Sequence, residues 1–234
     1  MEMKCRAVVL AAGKGSRMKM EQAKQYLMLG GKPVLVHALE PFQNSPMIQE
    51  IILVTGQAET DYCRSEIVEP YGINKVRSII PGGRERYESV WKALCLLESQ
   101  NKLDGYIFIH DGARPLITKE IIERAYRDVR KWRACVVGMP VKDTIKQVDR
   151  ERGIIGSPDR SSLWIAQTPQ VFETELLYSA FKRQIREDCT GVTDDAMVVE
   201  LQTGVSVRMT EGSYTNIKIT TPEDLALAEA FLNM

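Results

Sequence analysis

The chain has 234 residues, 44% of them hydrophobic, and its 31 Lys and Arg balance 31 Asp and Glu to a net charge of zero. That balance argues against a general basic footprint for nucleic acid, and the absence of a polar low-complexity tract argues against disorder. No apolar run approaches the ~20 residues needed to cross a bilayer, and two histidines with five scattered cysteines, none in a C-x-x-C pair, make a zinc centre improbable.

Ala7-Val8-Val9-Leu10 opens the chain's organised part as a short continuous apolar run. Similar runs follow at Ile51–Val54, Tyr106–Ile109 and Cys135–Val137, the pattern of strands buried on both faces of a parallel sheet. The first is too short for a secretory signal, and the scattered cysteines suit free, mostly buried thiols, so a cytoplasmic location is expected. Helical periodicity fills the intervals. Pro33 can occupy the first turn of a helix through Val34, Leu35, Ala38 and Leu39. A second helix covers roughly Arg86 to Gln100, with Val90, Ala93, Leu94 and Leu97 on one stripe. A third follows Thr118, with Ile121, Ile122, Ala125 and Val129 in phase. Thr221-Pro222-Glu223-Asp224 reads as a capped start to a terminal helix through Leu225, Ala228 and Leu232. Alternating strands and helices predict an α/β fold, a single-domain, doubly wound and mostly parallel sheet over residues 1–234.

One stretch breaks the rhythm. From Asp143 to Ser161 the residues suggest a β-hairpin turning at Arg150–Gly153, with little apolar surface of its own. It is either an exposed flap or an arm that packs on a second subunit.

The loop after the first run is Leu10-Ala11-Ala12-Gly13-Lys14-Gly15-Ser16-Arg17-Met18. In an open α/β sheet ligands lie beyond the carboxyl ends of the strands, where this loop falls. Gly13 and Gly15 allow backbone N–H groups to turn toward an anion. The loop matches neither the Walker fingerprint nor G-x-G-x-x-G, whose third glycine is replaced by Met18. Its cations, Lys14, Arg17, Lys19 and Lys24, suit a polyphosphate. Lys14 is either an accessory to that group or simply exposed. Asp111 ends the Tyr106–Ile109 run, either as a turn residue before Pro115 or as a carboxylate beside Mg²⁺ bridging phosphates. His110 is assigned to structural support.

Leu10-Ala11-Ala12-Gly13-x-Gly15-x-Arg17-Met18 with Lys24-Gln25-Tyr26 resembles the signature of sugar-nucleotide and alditol-phosphate nucleotidyltransferases. Further blocks follow in order: Gly82-Gly83-x-Glu85-Arg86-x-x-Ser89-Val90, His110–Pro115, Pro140–Thr144, Ala166-Gln167-Thr168-Pro169-Gln170-x-Phe172, Val192–Ala196 and Asn216–Thr220. Together they resemble the 2-C-methyl-D-erythritol 4-phosphate cytidylyltransferase family over nearly the whole chain. Two positions depart from it: Ala23 stands where many members have proline, and Thr215 where an acidic residue often precedes Asn-Ile-Lys.

The resemblance implies a Rossmann-like nucleotidyltransferase that uses CTP and an alditol phosphate, with Mg²⁺. Arg17 and Lys24 match the family's transition-state stabilisers, and Arg160 and Lys218, the latter expected in a strand, match residues that position the alditol phosphate. Main chain at Ala11, Ala12, Gly13 and Gly15, with Gly83 and Ser89, is expected to bind the nucleotide. Thr193 and Asp194 would meet alditol hydroxyls, although Thr193 also reads as a helix cap. The small pair Gly112-Ala113 would leave room for a methyl branch. The hairpin arm would make a homodimer in which Thr144 and Arg114 reach the neighbouring substrate site. Arg84 and Arg86 either hold the loop or are solvated at a helix start. The alternatives are a ribitol 5-phosphate cytidylyltransferase and, in another class, a non-catalytic nucleotide-binding regulator.

Overall fold

The apolar runs become the centre of one seven-stranded sheet. The computed structural model describes residues 4–13, 23–187 and 189–234. In chain order the principal elements are β1 (Cys5–Ala11), α1 (Val34–Asn44), β2 (Ile48–Thr55), β3 (Val76–Pro81), α2 (Arg86–Ser99) and β4 (Tyr106–Asp111). They continue with α3 (Lys119–Trp132), β5 (Ala134–Pro140), β6 (Gln147–Val148), β7 (Ile154–Gly156), β8 (Trp164–Glu173), α4 (Thr174–Gln184), α5 (Asp195–Thr203), β9 (Arg208–Glu211) and α6 (Pro222–Leu232).

The sheet order is β9-β5-β8-β4-β1-β2-β3. Only β8 runs antiparallel to its neighbours, β4 and β5; the other pairings are parallel. The expected mostly parallel, doubly wound sheet is therefore found. Helices α1 and α3 bury Leu35, Leu39, Phe42, Ile121, Ile122, Ala125 and Val129 on one face. Helices α2, α4 and α5 bury Val90, Leu94, Leu97, Leu177, Phe181 and Val199 on the other. Burying both faces is what made these strands read as continuous apolar runs.

Parallel register aligns the functional edge. Leu10 pairs with Asp111, Ala11 with Thr55, and Thr55 with Pro81, so β1, β2, β3 and β4 end in one row. Chain leaving that row must turn above the sheet, which brings the loop after β1, the Gly82-Gly83 turn and Asp111 to the same edge.

Several termini match their sequence signals. The Thr118 hydroxyl accepts from Ile121 N–H at α3, and Thr221 with Asp224 forms a complete capping box at α6. Pro33 stands at the N-cap of α1 rather than inside its first turn. Of the three periodic residues expected in α6, Ala228 alone is buried, against Leu29, Val34 and Ile219. Lys218 does not lie in a strand: residues 216–220 run irregularly between β9 and α6.

The hairpin is β6 against β7, with Gln147 opposite Gly156 and Val148 opposite Ile154. Asp149 builds its turn, its Oδ1 accepting from Glu151 N–H at 2.9 Å and Gly153 N–H at 2.8 Å. Among the described residues no cysteine is joined in a disulfide, and Cys5, Cys63 and Cys135 are buried. Among the described residues no helix is long and apolar enough to cross a membrane.

Candidate active site

A cleft opens at the aligned strand ends. It gathers Ala11, Ala12 and Gly13 after β1, Lys24, Gly83 and Ser89 beside α2, Asp111 at the end of β4, and Lys218. These eight residues are separated by up to 207 positions in the chain (11 to 218) and were each singled out from the sequence. Arg17 and Gly15, like Lys14 and Lys19, lie outside the described residues.

Local bonds explain how each wall is held. Lys24 begins a single 3₁₀ turn, Lys24–Tyr26. The buried Gln25 side chain donates from Nε2 to the Ala11 carbonyl at 2.7 Å, fixing that turn to the end of β1. Tyr26 donates from its hydroxyl to Glu59 Oε2 at 2.9 Å, and the same carboxylate oxygen accepts from Gly56 N–H at 3.0 Å. The Lys24 turn is thereby tied to the loop after β2 as well.

Opposite, the Ser89 hydroxyl accepts from Gly83 N–H at 3.0 Å and donates to the Glu85 carbonyl at 3.3 Å. Ser89 thus shapes the turn that presents the Gly82-Gly83 backbone. Gly82 must be glycine for a steric reason: a Cβ there would lie 2.5 Å from the Ala12 Cβ. Gly112 serves packing in the same way, because its Cβ would meet Leu35 Cδ1 at 2.9 Å and the Leu10 carbonyl oxygen at 3.1 Å. Its smallness is therefore taken up by the core, and only Ala113 of the Gly112-Ala113 pair lines the cleft.

The floor is an ion cluster. Asp111 Oδ2 pairs with Lys218 Nζ at 2.7 Å, and its Oδ1 with Arg86 Nε at 3.3 Å. Arg86 turns its other two nitrogens to Asp195, at 2.9 Å from Nη1 and 2.8 Å from Nη2. Arg114 Nε stands 4.0 Å from Asp111 Oδ2, while its Nη1 donates to the Asn216 carbonyl at 2.8 Å. Burial alone would raise the Asp111 pKa, but Arg86, Lys218 and Arg114 outweigh it and hold the carboxyl well below its usual range. Burial likewise opposes charge on Arg86, yet Asp195 and Asp111 overcome it and raise that pKa. For Asp195 burial prevails and pushes the carboxyl up despite Arg86.

Buried polar residues of β8 and the C-terminal segment set this cluster in place. Thr168 Oγ1 accepts from Asp111 N–H at 3.0 Å, and Gln170 Oε1 accepts from Asp195 N–H at 3.0 Å and Ala196 N–H at 3.1 Å. Asn216 donates from Nδ2 to the Thr168 carbonyl at 2.9 Å, and Ile219 N–H donates to the Ala113 carbonyl at 2.8 Å. With Asn216 and Ile219 fully buried on either side, Lys218 is the residue left to face the cleft. His110 carries the structural role expected of it. The Thr168 hydroxyl and the Arg114 carbonyl occupy its two ring nitrogens at 2.9 and 3.1 Å, and complete burial lowers its pKa to about 4.

The remaining expected residues lie elsewhere. Thr193 and Asp194 line a second cavity with Glu85, Arg86 and Tyr87. Asp194, not Thr193, caps α5: its Oδ1 accepts from Met197 N–H at 2.9 Å, and its Oδ2 from Gln170 Nε2 at 2.9 Å. Arg160 is exposed at the base of the arm, donating from Nη1 to the Lys142 carbonyl at 2.8 Å, and Thr144 is exposed on the arm's first limb. Arg114 is turned inward against Asp111 and Asn216 within its own chain. The pairing of Arg86 with Asp195, 109 positions apart, had no local sequence signal.

Among the described residues no group of three or more His, Cys, Asp or Glu side chains could hold a metal ion. The sequence profile of the family described as IspD, 2-C-methyl-D-erythritol 4-phosphate cytidylyltransferase, matches residues 5–234. The 2-C-methyl-D-erythritol 4-phosphate cytidylyltransferase of Caldanaerobacter subterraneus subsp. tengcongensis is 46% identical over 226 residues, 97% of each chain. The crystal structure of 4-diphosphocytidyl-2C-methyl-D-erythritol synthase from Anaerococcus prevotii superposes over 100% of both chains, with a TM-score of 0.85 and 29% identity. That of the Francisella tularensis 2-C-methyl-D-erythritol 4-phosphate cytidylyltransferase gives a TM-score of 0.81 at 28% identity, covering 97% of this chain and 99% of that one.

Proposed function

We infer from the cleft how this chain, which belongs to the 2-C-methyl-D-erythritol 4-phosphate cytidylyltransferase family, carries out its reaction. It transfers a cytidylyl group from CTP to 2-C-methyl-D-erythritol 4-phosphate, giving 4-diphosphocytidyl-2-C-methyl-D-erythritol and pyrophosphate in non-mevalonate isoprenoid precursor synthesis. A phosphate oxygen of the alditol forms a bond to the α-phosphorus of CTP, and the bond from that phosphorus to the α–β bridging oxygen breaks.

No general base is required. The attacking phosphate monoester, with a second pKa near ~6, is already mostly dianionic at neutral pH. His110 would be a poor base in any case, being fully buried with both ring nitrogens engaged. The work is to hold two anions in line and to stabilise charge that grows on the α-phosphate. Lys24, fixed through Gln25 to the end of β1, and Arg17 take the second task. The Gly82-Gly83 turn, held by Ser89, presents backbone to the cytosine, and Ala11 to Gly15 cradle the phosphates. Lys218 receives the alditol phosphate, with Arg160 brought from the arm, while Thr193 and Asp194 face its hydroxyls.

Mg²⁺ fits the donor set. Asp111 is one cleft-lining carboxylate with oxygens on Lys218 and Arg86, and Mg²⁺ commonly takes few protein carboxylates beside substrate phosphates and water. When bound, the ion neutralises charge between phosphate oxygens; Asp111 and the triphosphate would hold it.

A homodimer through the arm is the assembly we propose. Ile154 and Ile155 are 67% and 68% exposed on strand β7, too apolar to be left in water on an element with so little core. Thr144 would then reach the substrate site of the second copy.

The observation that carries this reading is the convergence of Lys24, Asp111 and Lys218 with the Gly83 backbone in one cleft. Its test is pyrophosphate release from CTP with Mg²⁺ and a panel of methylerythritol, erythritol and ribitol phosphates. Methylerythritol phosphate should give the highest catalytic efficiency and ribitol phosphate the lowest. A preference for ribitol phosphate would leave cytidylyl transfer but remove the alditol assignment.

A further inference from the structure

Among the described residues, Arg86 and Glu85 line both of these cavities, and Arg86 alone of the two also pairs with both buried carboxylates beneath them, Asp111 and Asp195. We propose that Arg86 is a positioning residue for cytidylyl transfer: by sharing Asp111 and neutralising Asp195, it keeps the Lys218 ammonium available to the alditol phosphate. The proposal rests on the reaction assigned above and concerns a residue that need not touch either substrate.

The geometry sets the argument. Asp111 offers one oxygen to Lys218 at 2.7 Å and the other to Arg86 at 3.3 Å, so neither cation has the carboxylate to itself. Arg86 divides its planar fork in turn, with Nε toward Asp111 and both Nη atoms toward Asp195. A guanidinium can span two carboxylates in this way; an ammonium is a point charge and cannot.

Charge counting gives the consequence. Counted over the direct ion pairs, three cations, Arg86, Arg114 and Lys218, meet two carboxylates, Asp111 and Asp195, a surplus of one positive charge that Asp194 beside Asp195 partly offsets. Without Arg86 that surplus vanishes. Asp195, 1% exposed, would lose its only cation among the described contacts, and Asp111 would be free to close both oxygens on Lys218. The ammonium meant for a phosphate would then be spent on a carboxylate. Arg86 also opens α2 directly after the Gly82-Gly83 turn, while Asp195 opens α5 after Thr193 and Asp194. Their pairing ties the two helix starts together, while the effect on Lys218 runs through Asp111.

The experiment is a mutant cycle read by steady-state kinetics and thermal melting, beginning from the unaltered chain; absence of cytidylyl transfer there would defeat the assigned reaction rather than this role. Arg86→Gln should reduce catalytic efficiency roughly 10–10²-fold, the scale of a displaced substrate. The loss should fall on kcat and on the KM for the alditol phosphate more than on the KM for CTP. In an Asp111→Asn background the same change should cost less than about twofold more, because its effect runs through Asp111. Asp195→Asn combined with Arg86→Gln removes the unpaired buried charge, so melting should recover while kinetics stay impaired. Arg86→Lys should remain impaired despite its charge. Recovery of activity together with melting would reduce Arg86 to a structural ion pair, and full additivity with Asp111→Asn would overturn the proposed route.

Discussion

Around Asp111, charged side chains are held from four chain segments at once, whereas the hairpin β6–β7 is held by its own turn. The cleft floor draws on α2, the end of β4, the start of α5 and residues 216–219, with Thr168 and Gln170 of β8 beneath them. The arm has two residues in β6 and three in β7, and its apolar side chains face outward. A two-stranded hairpin is marginal in water by itself. Preorganisation at the cleft is therefore built by packing inside one chain, while in the proposed assembly the arm would be packed by a second copy. The two regions should respond differently to mutation: the first through rate and pH, the second through assembly.

The largest effect is expected at the cleft. Lys24→Ala removes a cation whose turn is already anchored by Gln25 and Tyr26, so the backbone should remain in place. If Lys24 acts chiefly on charge developing in the transition state, kcat should fall roughly 10²–10³-fold, as for loss of an oxyanion donor. Steady-state kinetics decide this. A rise in the KM for CTP with unchanged kcat would mean that Lys24 only binds the ground state.

Deleting residues 147–156 tests the other side of the comparison. The arm leaves β5 and returns to β8 outside both hydrophobic clusters, so the remaining chain should stay folded with little change in melting temperature. On the proposed assembly, light scattering should show a dimer for the intact chain and a monomer for the deletion, and activity should be lost because Thr144 would no longer reach the site of a second copy. A fully active monomer would place the whole site within one copy.

The sequence was legible where one principle sufficed. Strands β1, β2, β4 and β5 are buried on both faces and announce themselves as apolar runs, and the stripes of α2 and α3 follow the helical period. Edge strand β3, with no fully buried residue, carries too weak a pattern. Strand β8 hides for the opposite reason: it buries Gln167, Thr168 and Gln170, and Pro169 stands in its middle, a composition that argues against a central strand. Those polar residues were visible as a family block, but their purpose emerges only in three dimensions, where each accepts or donates to an element of the cleft. Lys218 was likewise found by its motif, while the expectation of a strand failed because Asn216 bonds sideways to Thr168 instead of into a ladder. Arg86 reads from the sequence as a loop support or a solvated helix start and Asp195 stands in a family block, but their pairing was out of reach, since a contact across 109 positions leaves no local period to read.

The smallest effect concerns His110 and separates the two regions by pH. The Arg114 carbonyl can only accept, so His110 Nε2 carries the proton. The Thr168 hydroxyl, accepting from Asp111 N–H, donates to Nδ1, which completes a neutral ring. Burial lowers the His110 pKa to about 4 from 6.5. The unfolded chain thus binds a proton below about pH 6.5 that the folded chain refuses until about pH 4. Stability conferred by the neutral ring is full above pH 6.5 and declines as pH falls toward 4, by roughly 3 kcal/mol for one group. His110→Asn cannot take up that proton, so its unfolding free energy should be flatter across this window, even if lower throughout. Denaturant melts at several pH values measure the slope. Deletion of the arm should leave the slope unchanged, because no arm residue contacts His110. A wild-type curve that is flat from pH 6.5 to 4 would show that the ring is solvated or charged, and would break the contrast between a rigid cleft floor and a dependent arm at its deepest residue.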